Sequence, residues 1–489
     1  MTSTTTDTAT LARVTADAAE AAPVLAATGL DDRAALLRQV ADAIDEALDD
    51  LVAIADEETA LGPTRLRGEV ARTTGQLRLF ANVLLEGSFL EAAIDHADQG
   101  ASPPRPDVRR LLHPIGPVAV FSASNFPFAF SVAGGDSASA LAAGCPVVVK
   151  AHSGHPRLSE ATAAVVRRAL ADAGAPDGTF ACVEGRDIGR ALVLDPHVRA
   201  VGFTGSLSGG RALFDLAVSR PDPIPFYGEL GSINPVLITH EAAHTRAAEL
   251  AAGLVGSFTL GVGQFCTKPG VVLVPAGTAL EDEIAAAVSG VAGGRMLTGR
   301  IAEGFAGGLS SFVATGRAEV VAGDADQTAG DGMATPVVLA TTVEDLAAAP
   351  DVLLEECFGP ATLLVRYLDD DDRDRALEHL PGSLTVAIHA EPGELADLAT
   401  VVERLRSRAG RVIFGGWPTG VAVNWAMHHG GPWPATTAPL FTSVGATAIR
   451  RFLRPVAYQD VPQSLLPPAL RDDNPLGIPR RVDGQLVLP

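Results

Sequence analysis

The run Gly261-Val262-Gly263-Gln264-Phe265-Cys266-Thr267-Lys268-Pro269-Gly270 puts a cysteine in a glycine-rich turn. Glycine lets backbone approach a ligand closely. A nucleophilic thiol needs access and nearby positive potential to lower its pKa from ~8.5, and Lys268 is a source of that potential. A lone cysteine is more often a small buried hydrophobe; the glycines and the lysine tip the reading of Cys266 towards chemistry. Lys150 and Lys268 are the only lysines, arginine serving elsewhere as the generic cation. Those two positions therefore call for a compact ammonium.

A second run, Phe226-Tyr227-Gly228-Glu229-Leu230-Gly231-Ser232-Ile233-Asn234-Pro235, sets one carboxylate among apolar and small residues. Half-buried, Glu229 would have a raised pKa and could act as a general base; a surface glutamate in a turn fits the same residues. A third run, Phe203-Thr204-Gly205-Ser206-Leu207-Ser208-Gly209-Gly210, suits a pyrophosphate on a helix N-terminus. It lacks the full GxGxxG pattern, and a turn capped by Ser206 or Ser208 explains it equally well.

The elements that must carry these runs follow from periodicity. Residues 8–96 read as helices, with apolar spacing as in Leu36, Leu37, Val40, Ile44 and Leu48 and with Asp31 as the N-cap. Residues 99–107 form a proline-rich linker. Strands at 116–121, 145–150, 179–183 and 198–203 alternate with helices at 135–143, 160–173 and 208–217. That alternation predicts βαβ units and a parallel sheet with ligands at its carboxyl ends. A second α/β region runs from about residue 229, with strands at 271–274, 337–339 and 361–367 and a helix at 280–291. The tail from Arg454 is rich in proline and carries no helix signal.

At 489 residues the chain is long enough for two or three domains. Its net charge of −21 argues against nucleic acid and anionic lipid as partners. No apolar run reaches the ~18 residues of a membrane span, and residues 1–10 lack the features of a secretory signal. The expected location is cytoplasmic. Cys145, Cys182, Cys266 and Cys357 form no metal-ligand or disulfide pattern.

Six motifs occur in order: Ser122-Ala123-Ser124-Asn125-Phe126-Pro127, Val147-Val148-Val149-Lys150, Phe203-Thr204-Gly205-Ser206, Glu229-Leu230-Gly231, Gly263-Gln264-Phe265-Cys266 and Glu355-Glu356-Cys357-Phe358-Gly359-Pro360. Together they resemble the aldehyde dehydrogenase superfamily over nearly the whole chain. The resemblance implies an α/β fold with a Rossmann-like cofactor domain (1–228, with a bridging segment at 98–114) and an α/β catalytic domain (229–429). It implies a return to the cofactor domain (430–453) and a C-terminal oligomerisation tail (454–489). A homodimer or homotetramer would form through a bridging hairpin at 109–114 and that tail.

By the same resemblance Cys266 attacks an aldehyde, and Asn125 with the Cys266 N–H holds the oxyanion. Glu229 activates water against the thioester. Lys150 belongs to both the catalytic and the cofactor sets. Ser122, Lys150, His152, Ser153, Gly205, Ser206, Glu356 and Phe358 hold a nicotinamide dinucleotide, Lys150 at the adenosine ribose, Gly205 and Ser206 at the pyrophosphate, and Glu356 with Phe358 at the nicotinamide ribose and ring. No metal is implied.

Many relatives carry a ribose-binding glutamate where this chain has Ser153, with His152 beside it as a potential cation, so NADP is expected at least as well as NAD. Ser124 replaces the usual tryptophan, and Cys357 replaces an isoleucine and reads as a packed hydrophobe. Lys150-Ala151-His152-Ser153-Gly154-His155-Pro156, the run 454–462 and the run 474–478 resemble the α-ketoglutarate semialdehyde dehydrogenases, which convert 2,5-dioxopentanoate to 2-oxoglutarate. The substrate pocket is expected at Phe130, Phe265, Thr267, Lys268, Met427 and His428, with Lys268 as the candidate cation for a substrate carboxylate. The alternatives are a general aliphatic aldehyde dehydrogenase, a CoA-acylating enzyme and a catalytically silent binding protein; Glu229 argues for hydrolysis over acylation of CoA.

Overall fold

A computed structural model describes residues 6–489; residues 1–5, the start of the expected cofactor domain, lie outside the described residues. Four helices come first: α1 (Thr8–Ala27), α2 (Leu30–Glu46), α3 (Leu48–Thr59) and α4 (Pro63–Glu86). The cap of α2 is Gly29 and not Asp31, which sits inside the first turn. There its charge still favours the positive helix end. Helix α4 begins on Pro63 and stops at Gly87, whose φ of 78° suits a left-handed cap. It buries Leu66, Val70, Leu77 and Leu84. On the same helix Arg65, Glu69, Arg72 and Gln76 recur at i, i+4, i+7 and i+11, the spacing of a single helix face.

The chain then forms β1 (Ala93–Asp95) and β2 (Val108–Pro114) before entering the expected βαβ region. That region comprises β3 (Val118–Phe121), α5 (Gly135–Ala143), β4 (Val147–Lys150), α6 (Pro156–Asp172), β5 (Phe180–Val183), α7 (Arg186–Leu194), β6 (Ala200–Thr204), α8 (Leu207–Ser219) and β7 (Phe226–Glu229). Val118, Ala119, Val120 and Phe121 of β3 are all buried, as a strand covered on both faces requires. The strands are parallel in the order β5-β4-β3-β6-β7. The chain winds outward from β3 through β4 and β5 and then crosses to β6. The strand order thus reverses beside β3, where open α/β sheets bind ligands. Lys150 and Glu229 are the last residues of their strands, and Ser122 and Gly205 each follow one directly.

The second sheet is built around β8 (Val236–Ile238) and β9 (Val271–Pro275). Its order is Glu319–Ala322, Val337–Thr342, Ala361–Tyr367, β9, β8, Ser383–His389, Ala409–Phe414, parallel except for the first strand. A third sheet joins β2 and β1 to the tail strands Leu453–Gln459, Arg480–Val482 and Gln485–Val487. The tail, read as lacking helix, is built of these strands and short 3-10 turns. It packs on the expected hairpin segment.

Candidate active site

Helix Ala247–Thr259 feeds into the cysteine loop through Gly261, Val262 and Gly263, all with φ near +60°. A left-handed valine is strained. Gly263 is obligatory for a second reason: a Cβ there would lie 2.2 Å from the carbonyl carbon of Gly359. The cysteine loop is thereby pressed against the Glu355–Pro360 turn. Asn234, fully buried at φ 46°, ties the loop down from below. Its Nδ2 donates to the carbonyls of Cys266 (2.8 Å) and Lys268 (2.9 Å), while its Oδ1 accepts from Ser232 and Thr385.

Cys266 is half-buried. Its Sγ lies 3.7 Å from Nε2 of His429, and the same Nε2 is 2.9 Å from Oε1 of Glu229. Ser443 Oγ donates to Glu229 Oε2 at 2.6 Å. One atom each from Cys266, Glu229 and His429 fall within 4.8 Å of one another. The segment 428–444 delivers the histidine and serine by running back along β7: Leu230 N donates to Ala435 O, and Thr437 N to Gly228 O. Asn125, on the loop after β3, donates Nδ2 to Gln264 O at 3.1 Å. One amide N–H is thus spent on the cysteine loop.

Charge at this site differs from the expectation in two ways. Burial pushes the Glu229 carboxyl up, but the charge and hydrogen bond of His429, with hydrogen bonds from Ser443 and Cys266, hold it below its ordinary value. The raised pKa foreseen for a half-buried Glu229 is therefore reversed by two donors 200 or more residues away in sequence. The Cys266 thiol is driven well above its ordinary range by burial and then by the Glu229 carboxylate. The cation that opposes this is Arg72, not Lys268.

Lys268 does not face substrate. Its Nζ donates to the carbonyls of Cys357 (3.1 Å) and Ala361 (2.7 Å), and the residue is buried beneath the Glu355–Pro360 turn. Its ammonium is consumed by backbone, so the expectation of a carboxylate anchor there fails. Thr267 is likewise buried, its hydroxyl accepting from Gly420 N. Phe130, Phe126 and Met427 do come together, in an apolar cluster with Ala123, Ala129 and Val444. Phe265 stacks edge-on against Phe126 at 5.1 Å. His428 is half-buried, and burial lowers its pKa.

Sequence reading missed the arginines of α4. Arg65 lies 5.0 Å over Phe265 and 5.4 Å over Phe126, and its Nη2 donates to Asn125 O. Arg72 lies 5.3 Å over Phe130. Glu69 between them uses Oε1 to accept the N–H groups of Phe128 and Ala129, fixing the Asn125 loop. The polar stripe at 65, 69, 72 and 76 was the available signal.

At the carboxyl ends of the first sheet, Ser122 Oγ is buried with no hydrogen-bond partner, as a subsite for a polar ligand requires. Gly205 and Ser206 are exposed, and Ser206 caps α8 through Gly209 N at 3.3 Å. Lys150 is half-buried, its pKa lowered by burial. Glu356 is half-buried beside Gly231, and burial raises it to about 7. Phe358 is half-buried and Ser153 exposed. His152 is no cation: burial, then His155 and Lys150, lower it to about 3, and its Nδ1 accepts from Gly154 N. Cys357 is packed among buried apolar residues, as expected. An open, parallel-sheet crevice with an unpartnered hydroxyl, a lysine and a capped helix N-terminus fits a dinucleotide.

The profile of the aldehyde dehydrogenase family matches residues 1–432, and the chain belongs to that family. It is 48% identical over 482 residues to alpha-ketoglutaric semialdehyde dehydrogenase 2 of Azospirillum brasilense, covering 97% of this chain and 90% of that protein. It is 43% identical over 469 residues to the alpha-ketoglutaric semialdehyde dehydrogenase of Acinetobacter baylyi, covering 94% and 88%. Among solved structures, aldehyde dehydrogenase 21 of Physcomitrella patens superposes with a TM-score of 0.76 at 21% identity, covering 93% of this chain and 91% of that one. Aldehyde dehydrogenase C of Pseudomonas syringae gives 0.76 at 21% identity, covering 93% and 89%. These two similarities establish the fold.

Proposed function

We propose that this enzyme oxidises 2,5-dioxopentanoate to 2-oxoglutarate with a nicotinamide dinucleotide, through a thioester on Cys266. The observation that carries the chemistry is the meeting of Cys266 and Glu229 beside Asn125, three residues from three separated segments. The support for the substrate is the similarity to the two semialdehyde dehydrogenases.

In this reading Glu229 takes the proton of the Cys266 thiol, and Sγ bonds to the aldehyde carbon. The remaining amide N–H of Asn125, with the backbone N–H of Cys266, meets the oxyanion. The dinucleotide, when bound, supplies the two-electron acceptor that turns the thiohemiacetal into a thioester. Ser122, Lys150, Gly205, Ser206, Glu356 and Phe358 are the residues that would hold it. Once that first proton has passed to solvent, Glu229 draws a proton from water, the water oxygen adds to the thioester carbon, and the C–S bond breaks, releasing the acid and leaving the Cys266 thiolate, which the Glu229 proton neutralises. A small cavity lined by Tyr227, Thr436 and Ser443 adjoins Glu229.

Cofactor choice rests on Ser153. With no carboxylate there to repel a 2′-phosphate, and with Lys150 near, NADP is accepted at least as well as NAD; His152 adds no charge. Ser153→Glu should move the preference towards NAD. The subunits assemble as a homodimer or homotetramer through the β1–β2 and tail sheet, and a monomer in sedimentation would refute this. For the reaction itself, initial rates with 2,5-dioxopentanoate, glutaraldehyde and pentanal are the test. The dioxo acid should give the highest kcat/KM; an equal or higher value for pentanal would overturn the substrate reading.

A further inference from the structure

The α4 arginines differ from most other charged groups of the chain. Arg65 Nη1 and Arg72 Nε and Nη2 are buried N–H groups with no hydrogen-bond partner. An unmet buried donor on a charged group is costly and calls for a partner. Both guanidinium groups lie against the aromatic residues beside the nucleophile, Phe126, Phe130 and Phe265. Arg65 also bonds the carbonyl of Asn125 at 2.6 Å, so it borders the expected oxyanion position. Arg72 is close enough for its charge to act on both Cys266 and Glu229.

Nearby cations are wholly or largely engaged by backbone. Lys268 is held by two carbonyls; Arg411 spends Nη2 on the carbonyls of Pro418 and Gly420 and has only Nε unpartnered, whereas Arg72 has both Nε and Nη2 unpartnered. Glu69 keeps Oε1 on the Phe128 and Ala129 N–H groups, and the buried N–H groups of both arginines have no partner. A guanidinium edge with two adjacent N–H groups matches a carboxylate.

We propose that Arg72, seconded by Arg65, binds the carboxylate end of the substrate and so makes the enzyme select ω-aldehyde acids over neutral aldehydes. The inference rests on the substrate reading above and supplies the cation that reading needs. The aromatic residues hold the carbon chain between the anchored carboxylate and Cys266.

The test compares wild type, Arg72→Gln, Arg72→Lys and Arg65→Gln on 2,5-dioxopentanoate and on pentanal, with glutarate as an unreactive competitor. Wild type should prefer the dioxo acid and be inhibited competitively by glutarate. Arg72→Gln should raise KM for the acid and weaken glutarate by on the order of 10–100-fold, with a much smaller loss on pentanal. Arg65→Gln should lose part of the preference, and Arg72→Lys should recover part of it. Equal losses on both substrates would overturn the anchor and leave Arg72 an electrostatic support for Cys266 or the fold. A wild type without preference for the acid would instead remove the substrate reading. A wild type that prefers the acid and variants that keep that preference would refute the anchor alone.

Discussion

Removing His429 should disable Glu229 without removing it. Glu229 is 4% exposed and accepts side-chain hydrogen bonds from His429 at 2.9 Å and from Ser443 at 2.6 Å, among others. His429→Ala leaves Oε1 buried and without that donor. A hydrogen bond to a charged group contributes about 1.5–3 kcal/mol. Losing it where the carboxylate must be held against Cys266 should cost about 10- to 150-fold in kcat/KM. The sign of the pH effect follows from the groups that face Glu229. Burial pushes its carboxyl up, and His429, Ser443 and Cys266 push it down. Arg72 also acts on it, and Glu356 lies near with like charge. Without His429 the upward push wins, so the acid limb of kcat/KM against pH should move to higher pH. His429→Gln, which keeps an N–H donor, should move less. The assay is kcat/KM across pH for wild type and both variants. An acid limb that stays in place while the rate falls would show His429 to be structural only, and a rate within about twofold of wild type would refute the reasoning altogether.

Asn234→Ala should cost about 2–5 kcal/mol, because it frees the carbonyls of Cys266 and Lys268 at a left-handed position; thermal melting and the rate of Cys266 alkylation would both report it. Glu69 is held at about 7 by burial, above its ordinary 4.5. Its contribution to stability is therefore present below the unfolded value and lost as pH rises through about 7. Glu69→Gln keeps the acceptor for Phe128 and Ala129, so its Tm should fall less than that of wild type between about pH 6 and about pH 8. Ser443→Ala should lower kcat/KM less than His429→Ala, since it removes a neutral donor and leaves the histidine in place; an effect as large as that of His429→Ala would contradict this.

Local patterning made the first sheet legible. The runs Val118–Phe121 and Val147–Lys150 are apolar throughout, and their helices alternate with them in sequence. Cys266, Glu229 and Asn125, the residues proposed for catalysis, each sit in a short motif, and the order of those motifs along the chain tied them together. What sequence could not give is what touches them. His429 and Ser443 lie 200 and 214 residues from the Glu229 they bond, and only the return of segment 428–444 along β7 joins them. Lys268 misled for a physical reason: a rare lysine was read as chemistry when its ammonium donates to two buried carbonyls. The cations beside the aromatic cluster are two of many arginines, distinguished only by a helical stripe on α4 whose other members fix the Asn125 loop.

The central claim is that Cys266 carries the acyl group, and a product measurement tests it most directly. Wild type and Cys266→Ala would be given 2,5-dioxopentanoate with NADP or NAD, and the acid formed would be quantified against reduced cofactor. Wild type should form one 2-oxoglutarate per reduced dinucleotide and Cys266→Ala neither product, with the variant still folded by its melting curve. Reduction of the cofactor by a folded Cys266→Ala protein would contradict it.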